Sequence, residues 1–241
     1  YITAEDVGIS PEDMVHVSEK TKHVAGLPGK SGDPSPVTAY GVYMGMKASA
    51  KVQFGSDSLA GKKVSVQGVG HVGEYLVQNL QKEGADIYIT DIHEETLKHV
   101  SNKYGATVVG LDEIYDIEMD IYAPCALGAT VNDATLDRLK CSIIAGAANN
   151  QLENENKHGE IVRAKGIIYA PDFLINAGGI INVYAELEGY DKHEIMRKTE
   201  NIYNTTIEIL ESAAKNGITT NQAAVGIAKN RIEERKKANS K

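Results

Sequence analysis

A glycine-rich stretch near the middle of the chain has the residue types and spacing that can bind a phosphate. The stretch "VSVQGVGHVGEYL" contains the pattern G-x-G-x-x-G, with glycines at Gly68, Gly70 and Gly73. The residues before it predict a strand ending at Gln67, and those from about His71 predict a helix. In that context the first glycine permits a tight turn, the second lets a pyrophosphate approach the backbone, and the third lets helix and strand pack closely. The helix N-terminus favours an anion. The candidate dinucleotide turn consists of Gly68, Val69, Gly70, His71, Val72 and Gly73.

An acidic residue at the end of the next predicted strand fits the same chemistry. Asp91 follows "IYIT" and lies eighteen residues after Gly73, close to the spacing of about 20 that dinucleotide-binding units show. Its carboxylate can accept hydrogen bonds from both adenosine ribose hydroxyls and would repel a 2′-phosphate. The sequence therefore predicts NAD rather than NADP, with His93 as the one nearby residue that argues otherwise. The alternative is a glycine-tight turn followed by a chance aspartate.

The surrounding chain predicts a parallel sheet that carries this turn. Short apolar runs alternate with amphipathic stretches from position 58 to about 170, which is typical of an α/β, doubly wound, Rossmann-type domain. Earlier in the chain, "GDPSPVTAYGVYMGMKASAKVQFG" predicts one helix, with Ser35 as N-cap, Pro36 in the first turn and Gly55 as the stop. The strands are predicted at 62–67, 85–90, 106–110, 119–125, 141–146 and 166–170.

Helices follow the predicted sheet. A helix is expected to begin after Gly178 and Gly179, and a long helix over 192–216 should end at Gly217. A last helix is predicted over 221–237, with basic residues near its C-terminus, where they suit the helix dipole.

Composition excludes several classes of protein. The net charge of −8 argues against a nucleic-acid-binding surface. The two cysteines, Cys125 and Cys141, lie in apolar runs, which argues against a disulfide scaffold or a metal site and fits a reducing cytoplasm. No apolar run is long enough for a membrane span. The chain begins at Tyr1 and its first residues do not resemble a signal peptide, so we expect it to begin within a longer protein.

A Gly/Pro/Ser-rich connector over residues 17–35 contains a misleading motif. Gly29, Lys30 and Ser31 spell the end of a phosphate-binding loop, but that loop requires a glycine where Val24 stands. No predicted strand precedes it. We therefore expect no phosphate loop there.

Several further segments resemble one family. The stretches "TAEDVG", "PSPVTAYGVYMGMKA", "IYAPCALG", "IAGAANNQL" and "YAPDFLINAGGIINV" are similar to the leucine dehydrogenases, within the glutamate/leucine/phenylalanine/valine dehydrogenase superfamily. The resemblance implies reversible, NAD-dependent oxidative deamination of branched-chain L-amino acids to 2-oxo acids and ammonia. A hydride passes from the substrate Cα to the nicotinamide, and water hydrolyses the resulting imine. It also implies a homo-oligomer, commonly an octamer.

The resemblance assigns roles to residues outside the glycine turn. Asp6 matches the family's catalytic aspartate, which supports proton transfers at the substrate amino group; from the residues alone it reads equally as a cap for a helix at "PEDM". Thr38 matches a threonine that contacts the nicotinamide carboxamide. Ile180 and Val183 match the positions lining the substrate side-chain pocket, and their spacing puts them on one helix face. Their alternative is an ordinary core role.

The ends of two later strands are expected to hold the nicotinamide half of the cofactor. Asn150 matches an asparagine near the nicotinamide and its ribose, and the neighbouring Asn149 leaves that assignment open by one position. Cys125 and Ala126 should line the site through their backbone. The Cys125 thiol is interpreted as a packing group, since no base is paired with it.

The resemblance also divides the chain. Residues 1–34 are expected to be a remnant of an N-terminal α/β domain plus the connector, 35–185 the NAD-binding domain, and 186–241 helices that pack back toward that first domain. The family's two catalytic lysines precede "TAEDVG", and the connector offers no substitute base among Lys20, Lys22 and Lys30. The chain by itself is therefore expected to be inactive. Two alternatives remain: a catalytically silent NAD-binding module, and a phenylalanine or valine dehydrogenase.

Overall fold

A six-stranded parallel sheet forms the centre of the molecule. The structure, a computed structural model, describes residues 1–5, 8–189 and 191–239. The sheet has the order β3-β2-β1-β4-β5-β6, and each adjacent pair is parallel. This order confirms the predicted doubly wound fold, and the strand order reverses between β1 and β4. The strands are β1 (Lys63–Gln67), β2 (Asp86–Thr90), β3 (Thr107–Val108), β4 (Ile121–Pro124), β5 (Ile143–Ile144) and β6 (Ile168–Tyr169).

Ten α-helices lie in the described part of the chain, together with a short 3₁₀ turn at Glu113–Tyr115. They are α1 (Pro11–Ser18), α2 (Ser35–Phe54), α3 (His71–Glu83), α4 (Glu94–Tyr104), α5 (Glu155–Ala164), α6 (Asp172–Ile175), α7 (Gly178–Glu188), α8 (Lys192–Glu200), α9 (Ile202–Asn216) and α10 (Thr220–Asn239).

Both faces of the sheet are covered. Successive residues of β4 and β5 alternate between two hydrophobic clusters, with Ile121 and Ile143 in one and Tyr122 and Ile144 in the other. Because neighbouring strand residues point to opposite faces, this alternation places one cluster on each side of the sheet. The larger cluster includes residues of α2 and α3, and this layer carries the candidate site.

The predicted strands exist, but several are shorter than expected. The runs at 141–146 and 166–170 contribute only two paired residues each. The expected alternation with α-helices also fails twice, and only the 3₁₀ turn at Glu113–Tyr115 lies between β3 and β4. Turns rather than a helix occupy the described segment between β4 and β5, where the Asn132 side chain accepts hydrogen bonds from the Ala134 and Thr135 amides. Such side-chain bonds favour turns over helix.

The start of α2 corrects the predicted cap. Ser35 is the first residue of the helix rather than its N-cap, and Pro34 precedes it. The Ser35 N–H instead donates to Asp33 Oδ1 at 2.8 Å, so a carboxylate satisfies the first amide of α2. Gly55 ends the helix as expected, with a left-handed φ of 76°.

Two expectations about the C-terminal helices are also wrong. Helix α7 begins at Gly178 rather than after Gly179. A Cβ on Gly178 would lie 2.2 Å from the Val37 carbonyl oxygen of α2. The absence of a side chain lets α7 start against α2. The helix predicted over 192–216 is divided at Asn201, which has a ψ of −10° and lies between α8 and α9.

The N-terminal segment is tied to the connector. Thr3 forms a parallel bridge with Val24, and the Ala25 N–H donates to the Thr3 carbonyl at 2.9 Å. Helix α1 is capped by Ser10, whose hydroxyl accepts from the Asp13 N–H. Ser10 is therefore the N-cap of the helix at "PEDM". The proposed boundary between 185 and 186 falls inside α7.

Candidate functional site

The glycine turn joins β1 to α3 in the expected manner. Gly68 has a φ of +94°, and its N–H donates to the Thr90 carbonyl at 2.8 Å, which holds the turn against β2. A Cβ on Gly73 would lie 2.1 Å from the Gly68 carbonyl oxygen, so only glycine permits this helix–strand packing. A Cβ on Gly70 would meet open space. The turn is therefore closely packed against the protein at Gly68 and Gly73 and open at Gly70.

The open side of the turn, at Gly70, lies at the N-terminus of α3. Gly70 is the N-cap of that helix and has no side chain to satisfy its first amides. Amides in the first turn of a helix lack carbonyl partners within the helix, and the helix dipole adds positive potential there. The sequence predicted a pyrophosphate at this position, and the arrangement leaves room and unpaired amides for one.

Asp91 is bonded directly to the glycine turn. Its Oδ2 accepts from the Val69 N–H at 2.8 Å, and its Oδ1 accepts from the His93 N–H at 2.9 Å. A carboxylate can accept about four hydrogen bonds, so both oxygens keep capacity for ribose hydroxyls. The spacing predicted that Asp91 ends β2, but the bond to Val69 had no sequence signal.

The carboxyl ends of β1 and β4 meet beside the turn. A Cβ on Gly68 would lie 2.7 Å from the Ala126 nitrogen, and the Cys125 N–H donates to the Gln67 carbonyl at 2.7 Å. Burial raises the pKa of the Cys125 thiol to about 12, so the thiol stays protonated at neutral pH and packs against the core. In open α/β sheets, ligands bind outside the strand ends where the order reverses, which is the place these residues occupy.

The loop after β5 holds its two asparagines differently. Asn149 Oδ1 accepts from Asn176 Nδ2 at 2.6 Å, and Asn176 also donates to the Ala147 carbonyl. Asn150 is exposed, has a left-handed φ of +54°, and accepts from the Ala129 N–H through its backbone carbonyl. Sequence reasoning missed Asn176; its place in "INAGG", next to residues assigned to the substrate pocket, was the available signal.

Thr38 and the predicted pocket residues lie where α2 and α7 cross. Thr38 is half-buried in the first turn of α2, and its hydroxyl donates to the Pro34 carbonyl at 3.0 Å. A Cβ on Gly179 would lie 2.9 Å from that hydroxyl. Ile180 follows directly and is 72% exposed, whereas Val183 is half-buried. Thr38 and the start of α7 thus form one wall, linked to the β5 loop through Asn176.

Asp6 lies outside the described residues, but its neighbour Glu5 is described. Burial and the nearby carboxylates of Asp33 and Glu12 raise the pKa of Glu5, while His71 at the start of α3 lowers it. Among the described residues, no group donates to Glu5 Oε2. The N-terminal segment therefore approaches the first residue of α3, which sequence reasoning did not foresee.

Three other features bear on the class of site. Within the described ranges, no three His, Cys, Asp or Glu side chains gather closely enough to hold a metal ion. The helices of that same part of the chain include none with the length and apolar character needed to cross a bilayer. Both cysteines are free thiols.

Comparison with known proteins identifies the family. A sequence model described as glutamate/leucine/phenylalanine/valine dehydrogenase matches residues 29–91 and 86–239. The chain belongs to this family. It is 53% identical to a leucine dehydrogenase of Thermoactinomyces intermedius and 50% identical to one of Bacillus subtilis, in each case over the whole chain and 66% of the relative. The chain thus spans slightly less than two thirds of the length of these dehydrogenases.

Solved structures support the same placement. The crystal structure of L-tryptophan dehydrogenase from Nostoc punctiforme matches with a TM-score of 0.88 and 44% identity, covering 98% of this chain and 68% of that one. A hetero-hexameric glutamate dehydrogenase from Thermus thermophilus matches with a TM-score of 0.76 at 18% identity, covering 97% of this chain and 63% of that one. At that identity the likeness concerns the fold alone.

Proposed function

We propose that the chain provides the cofactor-binding half of an NAD-dependent dehydrogenase that oxidatively deaminates branched-chain L-amino acids. The observation that carries this proposal is the bonded unit of Gly68–Gly73 and Asp91, open to solvent at Gly70 and placed at the switch point of the sheet. Membership of the dehydrogenase family, with leucine dehydrogenases about half identical, supports the amino-acid substrate.

The residues of the turn bind and orient the cofactor in this proposal. The uncapped amides of α3 receive the pyrophosphate, and Asp91 receives the ribose hydroxyls while disfavouring a 2′-phosphate. Thr38, Asn150 and the backbone at Cys125 and Ala126 orient the nicotinamide half. When bound, NAD supplies the ring that accepts a hydride from the substrate Cα.

The substrate side chain is proposed to lie against α7. Ile180 and Val183 offer branched aliphatic surfaces, and an apolar wall makes a charged glutamate side chain costly. One methylene is worth only about 1–3 kcal/mol of discrimination, so leucine, isoleucine and valine should all react. Asp6 is proposed to support proton transfers at the substrate amino group. A homo-octamer in the cytoplasm and the division at 34 and 185 are proposed on the same family grounds.

Initial rates of cofactor reduction test this function. The full-length gene product is assayed with leucine, valine, phenylalanine and glutamate, with NAD and with NADP. We expect the highest kcat/KM for leucine with NAD. A higher kcat/KM for phenylalanine or glutamate would overturn the substrate, and equal rates with NADP would overturn the role of Asp91. NAD binding without turnover of any amino acid would favour the silent module.

A further inference from the structure

The connector turn, residues 26–31, binds a carboxylate of helix α7. Glu186 Oε2 accepts from the Gly26 N–H at 2.9 Å, from the Ser31 N–H at 3.4 Å and from the Ser31 hydroxyl. Lys30 Nζ lies 3.5 Å from the other carboxylate oxygen. The Gly-Lys-Ser segment that resembled a phosphate loop thus surrounds an anion after all, and this anion belongs to the chain itself.

The contact between Glu186 and the connector turn is buried, and Asn182 forms a second contact with the same turn. The Glu186 side chain is only 4% exposed, and burial alone would raise its pKa, but the hydrogen bonds from Ser31 and Gly26 hold that pKa below its ordinary value. Asn182, one helical turn earlier and 1% exposed, donates to the Ser31 carbonyl at 3.0 Å. Residues four apart share one face of a helix, so a single face of α7 is bonded to the connector turn.

This contact connects two parts of the proposed site. Helix α7 carries Ile180 and Val183. The connector turn continues directly from Ala25, whose N–H donates to Thr3. The position of α7 relative to the N-terminal segment is therefore set by hydrogen bonds to one carboxylate and one amide, in addition to the apolar contacts.

We infer that Glu186 is a positioning residue for substrate recognition, which fixes the pocket helix α7 against the connector turn. The inference rests on the proposed function. A carboxylate in so enclosed a place must be fully bonded to be tolerated, and its acceptor geometry restricts both rotation and sliding of the helix. Apolar packing alone would leave α7 free to make small shifts that change the distance from Ile180 and Val183 to the substrate.

Substitution of Glu186 by glutamine tests the inference in the full-length protein. Glutamine keeps the size of the side chain but removes the charge that strengthens the bonds to the connector turn. We expect the KM for leucine to rise about tenfold, since small misplacements of positioning groups have large kinetic effects. The preference for leucine over the smaller 2-aminobutyrate should fall as well, whereas the Kd for NAD should change by less than about twofold, because Glu186 does not touch the glycine turn.

A readout independent of turnover accompanies the kinetics. Trypsin cleaves after Lys30, and release of the connector turn should accelerate that cleavage in E186Q about tenfold, because proteolysis follows the population of the open form. Ser31→Ala should shift both readouts in the same direction, and the double variant should be little worse than E186Q alone, since both changes remove one interaction. Glu211→Gln, an exposed position on α9, is the matched control.

The outcomes separate this inference from the proposed function. If E186Q matches E211Q in leucine KM, in substrate preference and in Lys30 cleavage, the inference is wrong; S31A takes its place if E186Q fails to fold. If kcat falls while the KM for leucine and the substrate preference stay unchanged, Glu186 is merely structural. If the wild type oxidises no amino acid, the proposed function and the positioning role both fail, and Lys30 cleavage still reports whether Glu186 holds the turn.

Discussion

Asn149 and Asn150 are adjacent, but Asn149 is hydrogen-bonded through its side chain and Asn150 through its backbone. The Asn149 amide oxygen is held by Asn176 at 2.6 Å, so this side chain stabilises the loop after β5. Asn150 bonds to the described part of the chain through its backbone carbonyl, which leaves its side chain at the exposed surface of the site. This difference favours Asn150 as the residue that contacts the cofactor.

Alanine substitutions distinguish the two residues. Asn150→Ala should raise the Kd for NAD about 2- to 10-fold, because one hydrogen bond contributes about 0.5–1.5 kcal/mol. Asn149→Ala should mainly lower the free energy of unfolding, by about 1 kcal/mol, through the lost bond to Asn176. Isothermal titration with NAD and urea denaturation measure the two effects. A larger loss of NAD affinity in the Asn149 variant would exchange the two roles.

Single residues differ in how far the sequence reveals them. The position of Asp91 directly after β2 was predictable because it depends on local spacing after the glycine turn. Glu186 was not, since its partner Ser31 lies 155 residues away and no local pattern encodes that contact. The bond from the Ser35 N–H to Asp33 was missed for a simpler reason: Ser35 matched the preferred cap residue, so the acid two positions earlier was not considered.

At the level of elements, α2 and α3 are joined by a partly buried ion pair. Lys47 Nζ of α2 lies 2.8 Å from Glu83 Oε1 of α3, and the same carboxylate accepts from the Tyr43 hydroxyl and the Leu59 N–H. Burial by itself would raise the pKa of Glu83, but the bonds from Lys47, Tyr43 and Leu59 outweigh it and lower the pKa. This contact fixes the helix that begins at the glycine turn.

The lowered pKa gives the stability a definite pH dependence. A group with a depressed folded pKa stabilises the protein above its unfolded pKa, about 4.3 for glutamate, and that stabilisation is lost as the pH falls through the folded value. Glu83→Gln should therefore cost about 1–3 kcal/mol at pH 7 and progressively less below pH 4. Urea denaturation of the wild type and the variant, at pH 7 and below pH 4, measures the difference in the free energy of unfolding. The exposed Glu160→Gln should cost less than about 1 kcal/mol, and a cost for Glu83→Gln that is independent of pH would contradict the ionic origin.

Elements were predictable where their patterns were local. The apolar runs predicted all six strands, and Gly55 and Gly217 ended helices as expected. The break at Asn201 was not recognised, because the apolar spacing continues through it. The missing helix between β4 and β5 was overlooked because the alternation on either side suggested a regular repeat.

For the molecule as a whole, cofactor binding should raise the free energy of unfolding and the Tm. A ligand at about 100 times its Kd stabilises the folded state by about 2.7 kcal/mol. For a chain of 241 residues, this corresponds to a rise in Tm of about 5–10 °C. Thermal denaturation with NAD should show that rise, and NADP at the same concentration should show less. Equal shifts would contradict the discrimination assigned to Asp91, and no shift with either would contradict dinucleotide binding.

The bond between Asp91 and Val69 has a further consequence for the cost of binding. Both carboxylate oxygens of Asp91 are already held by backbone amides, so the rotamer of this side chain is chosen when the protein folds. An unrestrained aspartate would lose that freedom on contact with the ribose and would weaken the complex accordingly. In the proposed site, the entropic cost of ordering Asp91 is therefore incurred on folding rather than on binding, and Asp91 and the glycine turn would present one preorganised surface to a dinucleotide.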